Sequence, residues 1–479
     1  MPVSPLEKGG RSAVWVVPGT PLEAGVGWRI WYSAPGEFEP GEVTVTRRGA
    51  PVDSKQEFEP LDPLDGVKRR MGVLTVTLAE GEAGELYEVA IPEAGTYEWR
   101  TLPQKIPADG LTLLFGSCFW RPGDKEGAYS AAVRELTRRF SPAFQILAGD
   151  QVYQDYPPVK PMGNMTKVFA DRYDDYWGDP GYQEVLRSSP NLFTCDDHEF
   201  WNNFPEKQAW LPQTWDRKRE ESGEAAQETY HRYQRSANPE GRRYFSLAIP
   251  PVSFFVSDAR SERDDIKNPE HHMFGDEQWA ELEDWAETLT GPGVLVLAQP
   301  LFDHEGGKTD RSLASFKSDF ARLCAVFETS LTRGKGRDAH DILILTGDIH
   351  TGRFATATIV GVPSANVYEF VASPASRVGP FVMEASPKHV PDTFTVEHGR
   401  DDDRRRTLWQ VSDVEFAATI DNNVGLVRIS PGTNKRLRFE LELWRVRPHD
   451  DRSFWQRMRR KGQPQAPFAP IFRKELQLR

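Results

Sequence analysis

The sequence has few cysteines, no long apolar run and no surplus of basic residues. Its three cysteines, Cys118, Cys195 and Cys324, form an odd and sparse set, which excludes a disulfide framework and suits a reducing compartment. No segment approaches the roughly 20 consecutive apolar residues that span a membrane, and the N-terminus lacks the apolar run of a signal peptide. These absences predict a cytoplasmic protein without a membrane span, or an exported one if a leader has been removed.

The charge balance argues against some partners. A formal net charge of −12 does not fit a specific nucleic-acid binder, whose domain is usually basic. It leaves anionic substrates open, because bound metal cations can reverse the local field. The complete Walker pattern Gly-x-x-x-x-Gly-Lys-Ser/Thr does not occur, which argues against a P-loop nucleotide hydrolase. The composition contains no signal for the oligomeric state.

The domain organisation follows from length and pattern. A chain of 479 residues is too long for one ordinary core, so we expect two domains. Short runs rich in Val, Thr, Trp and Tyr, separated by Gly and Pro turns, predict a β-sandwich domain over residues 1–107. Strands alternating with helices predict an α/β domain over residues 108–445. The basic, Pro-containing residues 446–479 are predicted to form a C-terminal tail.

Polar residues end the predicted strands of the α/β domain. In sheets of this kind, functional groups gather beyond the carboxyl ends of the strands. Gly149 and Gly347 lie at two of these ends and allow the backbone to turn tightly beside a bound group. The strand ends that carry polar residues read "FGSC", "AGDQVY", "TCDDHE", "SDAR" and "TGDIH".

The residue types at these strand ends indicate a metal centre. A single Asp after a strand is often only a turn former, and a single His is usually structural. Together, however, the ends supply carboxylates, imidazoles and a thiol, the ligands that a dinuclear centre requires. Asp348 and His350 are two residues apart, so in an extended chain both side chains point the same way. Arg260 could clamp a phosphoryl oxygen and His198 could protonate a leaving group. The set predicts metal-assisted hydrolysis of a phosphate ester.

These motifs, in this order, resemble the PhoD-type alkaline phosphatase/phosphodiesterase family of the calcineurin-like metallophosphoesterase superfamily. The matching text runs from Leu111 to His350 and comprises "FGSC", "GDQVY", "DDHE" followed by "NN", "DARSER", "FGDEQWAEL" and "GDIH". The resemblance implies an α/β fold class: a layered metallophosphoesterase-type α/β/β/α sandwich with an N-terminal Ig-like β-sandwich domain.

The resemblance also implies a role for each metal ligand. Asp150 would bridge two ions. A ferric ion (Fe3+) would be completed by Cys118, Tyr153 and His350, because thiolate and tyrosinate suit oxidised iron. The second ion would be Ca2+, with Mg2+ or Mn2+ as alternatives, because its ligands are all oxygen atoms. Those ligands would be Asp150, Asp197 and Asp348, with Asn203 or Asn202 nearby.

The implied chemistry is attack of a metal-bound hydroxide on the phosphorus of a phosphodiester or phosphomonoester. His198 would act as acid or transition-state donor, with Arg260 as its cationic partner. Asp196 is expected to orient a neighbour rather than bind an ion. Two alternatives stay open: a hydrolase of another phosphorylated substrate such as nucleotides, and a non-catalytic binding protein stabilised by its metals.

Two departures from the family pattern affect these expectations. Cys195 stands where the family often has tryptophan, and we expect it to be a buried thiol rather than a ligand. The N-terminal "GGRSAVWVV" has no arginine pair, although many family members are exported through a twin-arginine signal. A phosphate-scavenging role outside the cell is therefore not predicted.

Overall fold

The computed structural model of the chain describes twelve stretches of the sequence. They are residues 14–22, 26–36, 40–124, 127–158, 163–268, 271–303, 312–332, 338–376, 390–398, 405–417, 422–446 and 468–479. Within them the chain is mixed α/β, with four sheets and six α-helices.

The N-terminal part consists of two antiparallel four-stranded sheets that share a core. Trp28 lies edge-on to both Tyr87 and Trp99, so the buried aromatic residues of the first sheet pack on those of the second. The first sheet has the order β1-β2-β6-β5, with β1 at Trp15–Pro21, β2 at Gly27–Pro35, β5 at Ser54–Pro60 and β6 at Arg69–Leu78. The second has the order β4-β3-β7-β8, with β3 at Thr44–Arg47, β4 at Ala50–Val52, β7 at Leu86–Ile91 and β8 at Gly95–Arg100.

Two larger sheets form the rest of the described chain. The six-stranded sheet has the order β11-β10-β9-β20-β21-β22, with β9 at Leu111–Gly116, β10 at Phe144–Ala148, β11 at Asn191–Thr194, β20 at Asn423–Pro431, β21 at Leu437–Arg445 and β22 at Pro470–Leu478. The eight-stranded sheet has the order β12-β13-β14-β15-β17-β16-β19-β18, with β12 at Phe245–Ile249, β13 at Val252–Val256, β14 at Gly293–Val296, β15 at Ile342–Thr346, β16 at Arg353–Ile359, β17 at Val362–Val371, β18 at Thr393–His398 and β19 at Arg405–Phe416.

Three apolar clusters hold the larger sheets and the helices together. The helices are α1 at Ala128–Phe140, α2 at Met165–Trp177, α3 at Pro180–Arg187, α4 at Arg217–Tyr233, α5 at Asp276–Thr288 and α6 at Lys317–Leu331. One cluster joins the six-stranded sheet to α1, α2 and α3, and another joins the eight-stranded sheet to α5 and α6. The third contains side chains from both sheets, such as Ile146 and Leu343. Cys324 on α6 is buried in this way, as a plain core residue.

The N-terminal sheet also packs on the α/β part. Every residue of β1 is buried, because Val16 faces the N-terminal core while Trp15 and Val17 face the cluster of α1, α2 and α3. Trp31 joins the same cluster and donates its indole N–H to the carbonyl of Arg232 at 2.6 Å. The N-terminal domain is thus in direct contact with the end of α4.

The predicted C-terminal tail contains a strand that the sequence analysis did not predict. Its residues 447–467 lie outside the described residues, but β22 pairs antiparallel with β21 at the edge of the six-stranded sheet. Leu476 and Leu478 alternate along β22 and are buried in the core between the sheets. The domain boundaries at residues 107 and 445 stay predictions.

The strand order brings the polar strand ends together. Strands β9, β10 and β11 run parallel to one another, and so do β13, β14, β15 and β17. Their carboxyl ends therefore lie at the same edge of each sheet, where α/β proteins form their sites.

Candidate metal centre

Five predicted ligands have left-handed backbone in the turns and loops that follow these strands. Cys118, Asp150, Asn203, Asp348 and His350 all have positive φ, between 51° and 64°. Such backbone is uncommon for residues other than glycine and concentrates at functional sites. It also corrects one expectation: the chain at Asp348 and His350 is not extended, so their spacing of two does not place both side chains on one face.

Two glycines allow the turns to approach each other. Gly149 has φ of +81°, and a Cβ there would lie 2.6 Å from the Cβ of Asp196. A Cβ on Gly347 would lie 2.1 Å from the Oγ of Ser117, beside Cys118. Any larger residue would push apart the strand ends that carry the predicted ligands.

Four carboxylates meet at the centre of this region. Asp150, Asp196, Asp197 and Asp348 each offer an oxygen, and these atoms all lie within 4.8 Å of one another. Asp150 and Asp197 form a second such group with His198. Burial raises the pKa of Asp150 well above its ordinary value. The charge of His198 lowers this pKa, whereas the charges of Asp197 and Asp196 raise it further. So many buried carboxylates at this spacing favour a bound cation.

The hydrogen bonding supports the same conclusion. Among the described residues, Asp196 Oδ2 and Asp197 Oδ1 are buried and have no hydrogen-bond partner. Buried polar atoms without a partner are costly in folded proteins and call for an explanation such as an ion. Oxygen atoms of this kind fit a hard cation such as Ca2+ or Mg2+.

The predicted iron ligands meet on one side of Asp150. Asp150 Oδ2 lies 3.4 Å from Cys118 Sγ and 3.4 Å from the hydroxyl of Tyr153. The same hydroxyl lies 3.4 Å from His350 Nε2. Burial raises the pKa values of the Cys118 thiol and the Tyr153 phenol, so each keeps its proton unless a cation is bound beside it. Four donor atoms this close together fit one ion of the type predicted.

His198 is held by a carboxylate that the sequence analysis missed. Its Nδ1 lies 2.7 Å from Asp155 Oδ1, and its ring stacks on Tyr153 with centroids 4.1 Å apart. Burial alone would lower the pKa of His198, but Asp155, Asp197 and Asp150 outweigh it and keep that pKa well above its ordinary value. A protonated imidazole at this place fits the predicted acid. Asp155 lies in the same loop as Asp150, in the stretch "GDQVYQD". That position in the sequence could have marked it as a residue of the site.

Arg260 forms an ion pair with Asp196. Its side chain is completely buried, its Nε donates to Asp196 Oδ1, and its Nη1 donates to the carbonyl of Phe204 at 3.3 Å. Asp258 accepts the backbone N–H of Arg260 at 3.0 Å and so shapes the turn that aims it. A buried carboxylate such as Asp196 needs a counter-charge, and Arg260 supplies it. The roles predicted for Arg260 and for Asp196 stay predictions.

The remaining residues of "TCDDHEFWNN" separate into two groups. The backbone N–H of Asn203 donates to Asp197 Oδ2 at 2.6 Å, whereas that of Asn202 donates to Asp155 at 2.9 Å. Of the two asparagines, Asn203 is therefore the one whose backbone is bonded to a carboxylate of the cluster. Cys195 is a buried thiol whose Sγ lies 3.4 Å from Asp258 Oδ1. It belongs neither to the four-carboxylate cluster nor to the group of Asp150, Asp197 and His198.

Three further residues contact the predicted ligands, and the sequence analysis assigned them no role. Gln299 donates to Asp348 Oδ2 at 3.0 Å, and Ser373 donates to Cys118 Sγ at 3.2 Å. Glu199 accepts hydrogen bonds from the backbone around Asp150, and burial raises the pKa of its carboxyl to about 7. Gln299 and Ser373 follow β14 and β17, so they too lie at carboxyl ends of parallel strands. That placement could have drawn attention to them.

The fold and the site together define an α/β protein with a buried acidic cluster that could hold metal ions. The chain belongs to the PhoD-like phosphatase family, whose model matches residues 113–430, more than half of its length. This family membership agrees with the resemblance seen in the sequence, and it points to a phosphatase-type enzyme that acts on phosphate esters.

One solved structure agrees with this at the level of the fold, and a second was compared. A structure of PhoD is similar to the chain with a TM-score of 0.57 and 17% identity, covering 90% of this chain and 86% of that one. A structure of GAP50, the anchor in the inner membrane complex of Plasmodium, has a TM-score of 0.35 and 8% identity, covering 77% of this chain and 89% of that one. None of the curated proteins compared with the chain matches it. In the part of the chain that the structure describes, no helix is long and apolar enough to cross a membrane.

Proposed function

We propose that the protein hydrolyses phosphodiesters, phosphomonoesters or both at a dinuclear metal centre. The observation that carries this proposal is the meeting of Asp150, Asp196, Asp197 and Asp348 within 4.8 Å, from three separate turns that follow β10, β11 and β15. When bound, the two cations would neutralise charge on the phosphoryl group and acidify the water that serves as nucleophile.

The side chains of the centre divide between two ions in this proposal. Cys118, Tyr153 and His350 would hold Fe3+ together with Asp150. Cys118 Sγ and the Tyr153 hydroxyl lie beside Asp150 Oδ2, and His350 Nε2 lies beside the same hydroxyl. The second ion, Ca2+ or alternatively Mg2+ or Mn2+, would be held by oxygen atoms. Its ligands would be Asp150, Asp197, Asp348 and Asn203.

His198 would protonate the departing alkoxide. Asp155 fixes its ring through Nδ1, so the other nitrogen, Nε2, is available to carry a proton toward the substrate. The carboxylates around the imidazole favour its charged form, which a general acid requires. Arg260, from behind Asp196, would keep that carboxylate ionised and in place.

We also propose how the sheets and helices around this centre are layered. The three apolar clusters would separate the layers of an α/β/β/α sandwich, and the two N-terminal sheets would form an Ig-like domain. A cytoplasmic location also remains a prediction.

Elemental analysis of protein purified without added metal, combined with ester turnover, tests the proposal. We expect iron and a second hard cation, with hydrolysis of p-nitrophenyl phosphate or bis(p-nitrophenyl) phosphate that a chelator abolishes. The ratio of the two rates reports the preference for monoester or diester. Bound metal without turnover of any phosphate ester would instead indicate a metal-stabilised binding protein.

The colour of the protein tests the iron ligands separately. Tyrosinate bound to ferric iron absorbs visible light, so the iron-loaded protein is expected to show a charge-transfer band that Tyr153→Phe removes. Tyr129→Phe is the matched control, because Tyr129 is equally buried but packs against Phe119 outside the carboxylate cluster. A band that survives Tyr153→Phe would contradict the assignment of Tyr153 as a ligand.

A further inference from the structure

Glu199 is a buried carboxylate that accepts four hydrogen bonds beside the candidate metal centre. Its Oε2 accepts the backbone N–H groups of Asp150 at 2.8 Å and Asp196 at 2.9 Å. Its Oε1 accepts the backbone N–H of Gln151 at 2.6 Å and the side-chain amide of Gln234 at 3.2 Å. The side chain has no exposed surface. A carboxylate offers about four acceptor positions, so this one is fully used.

These hydrogen bonds join two separate turns that carry predicted ligands. Asp150 follows β10 and Asp197 follows β11, and the regular ladder between the two strands ends at Ala148 and Thr194. One more backbone hydrogen bond, from Gly149 N–H to the Thr194 carbonyl, extends it. Beyond that point the turn at Asp150 has left-handed backbone, so the sheet itself no longer sets its distance from Asp197. Glu199 bonds to both turns at once, and so reinforces the single hydrogen bond that His198 N–H donates to Asp150 Oδ1 and the one that Gln154 N–H donates to the His198 carbonyl.

Gln234 holds Glu199 in this position. It lies directly after α4, is completely buried, and its side-chain amide donates to Tyr173 at 3.0 Å as well as to Glu199. The preceding Tyr233 stacks on Tyr173, with ring centroids 4.6 Å apart. Tyr233 also packs against Trp31 of the N-terminal domain, at 5.8 Å between centroids. The N-terminal sheet thus packs on the segment that carries Gln234.

We propose that Glu199 is a positioning residue, which sets the spacing of the two metal-ligand turns at Asp150 and Asp197, and that Gln234 orients it. This proposal rests on the proposed function, because it assigns Glu199 to the metal centre rather than to general stability.

The test is Glu199→Gln in the full-length protein. Glutamine keeps the shape but replaces one acceptor oxygen with an amide that faces two N–H donors, so the two turns lose their common anchor. Residues behind the ligands typically contribute 10–100-fold to metal affinity, so we expect Ca2+ or Mn2+ titrated into chelator-stripped protein to bind about 10–100-fold more weakly. At saturating metal, kcat for bis(p-nitrophenyl) phosphate is expected to fall about tenfold or more while KM changes little, because misplaced ions impair the chemical step.

Asp319→Asn is the matched control. Asp319 is also a buried carboxylate that accepts two backbone N–H groups, from Met273 at 2.6 Å and Phe274 at 3.4 Å, but it contacts none of the predicted ligands. It should lose thermal stability without a change in metal affinity or kcat. Gln234→Met removes only one hydrogen bond of Glu199, so it should lower metal affinity and kcat in the same direction as Glu199→Gln but by less. It replaces Glu199→Gln as the test variant if Glu199→Gln does not fold.

The outcomes separate this inference from the proposed function. If the wild-type protein binds neither Ca2+ nor Mn2+ and hydrolyses neither ester, the proposed function fails and the role of Glu199 fails with it. If the wild type binds metal and turns over substrate, but Glu199→Gln and Gln234→Met match it in affinity and kcat, only the positioning role is wrong.

Discussion

Replacing Asp150 with asparagine is expected to abolish metal binding and phosphate-ester turnover. Asp150 contacts both halves of the candidate centre: its Oδ2 lies beside Cys118 and Tyr153, and its carboxylate belongs to the oxygen cluster with Asp197 and Asp348. Asparagine preserves the volume but removes the charge and one acceptor oxygen. Residues behind metal ligands already contribute 10–100-fold, so loss of the bridging ligand should lower kcat/KM by more than about 100-fold.

The folding of this variant distinguishes loss of metal from loss of structure. Without metal, Asp150→Asn relieves repulsion among the buried carboxylates, so the chelator-treated variant should melt no lower than the chelator-treated wild type. The wild type should gain stability when metal is restored and the variant should not, because only a bound ligand stabilises the native state. Asp171→Asn is the control, since Asp171 pairs with Lys167 at the surface. A variant that retains its iron and its turnover would disprove the bridging role.

Replacing Arg260 with methionine is expected to cost about 3–5 kcal/mol of unfolding free energy, which is typical when one partner of a buried ion pair is removed. The variant leaves Asp196 buried next to Asp150 and Asp197 without its cation. Chemical denaturation of chelator-stripped protein measures the loss. The double variant with Asp196→Asn should recover part of it, because the uncompensated charge is then gone.

The same variant decides between two roles for Arg260. A guanidinium that contacts substrate would, when removed, raise KM and leave stability nearly unchanged. Burial of the whole side chain favours the opposite result. Arg138→Met is the control, because its ion pair with Glu135 lies at the surface and such pairs contribute little. If Arg260→Met has the denaturation midpoint of the wild type and a raised KM, the result would support the clamp role that the sequence indicated.

Part of the site was predictable because its residue types mark strand ends. Asp150, Asp197 and Asp348 each follow an apolar strand in the sequence, and parallel strands must end at a common edge. The structure brings all three within 4.8 Å, and it places Cys118 and Tyr153 beside Asp150 and His350 beside Tyr153. Which ions bind there, and what each residue does, stay predictions until metal content and turnover are measured.

Other parts depended on contacts between distant segments. Ser373 reaches Cys118 across 255 residues, and Glu199 reaches Asp150 across 49. No local pattern marks such pairs, because the hydrogen bonds exist only after the strands have assembled. The ion pair between Arg260 and Asp196 joins residues 64 apart, and the neighbours of Arg260 in the sequence do not indicate it.

The sequence by itself determined the α/β class of the chain, the strand ends and the chemical types of the donor groups at them. These follow from periodicity and residue type, which are local properties. Tertiary structure decided which carboxylates share a cluster, which side chains stand behind them, and that residues 470–478 form an edge strand. Those features depend on left-handed turns, on long-range hydrogen bonds and on burial, and each of them requires the packed sheets to exist first.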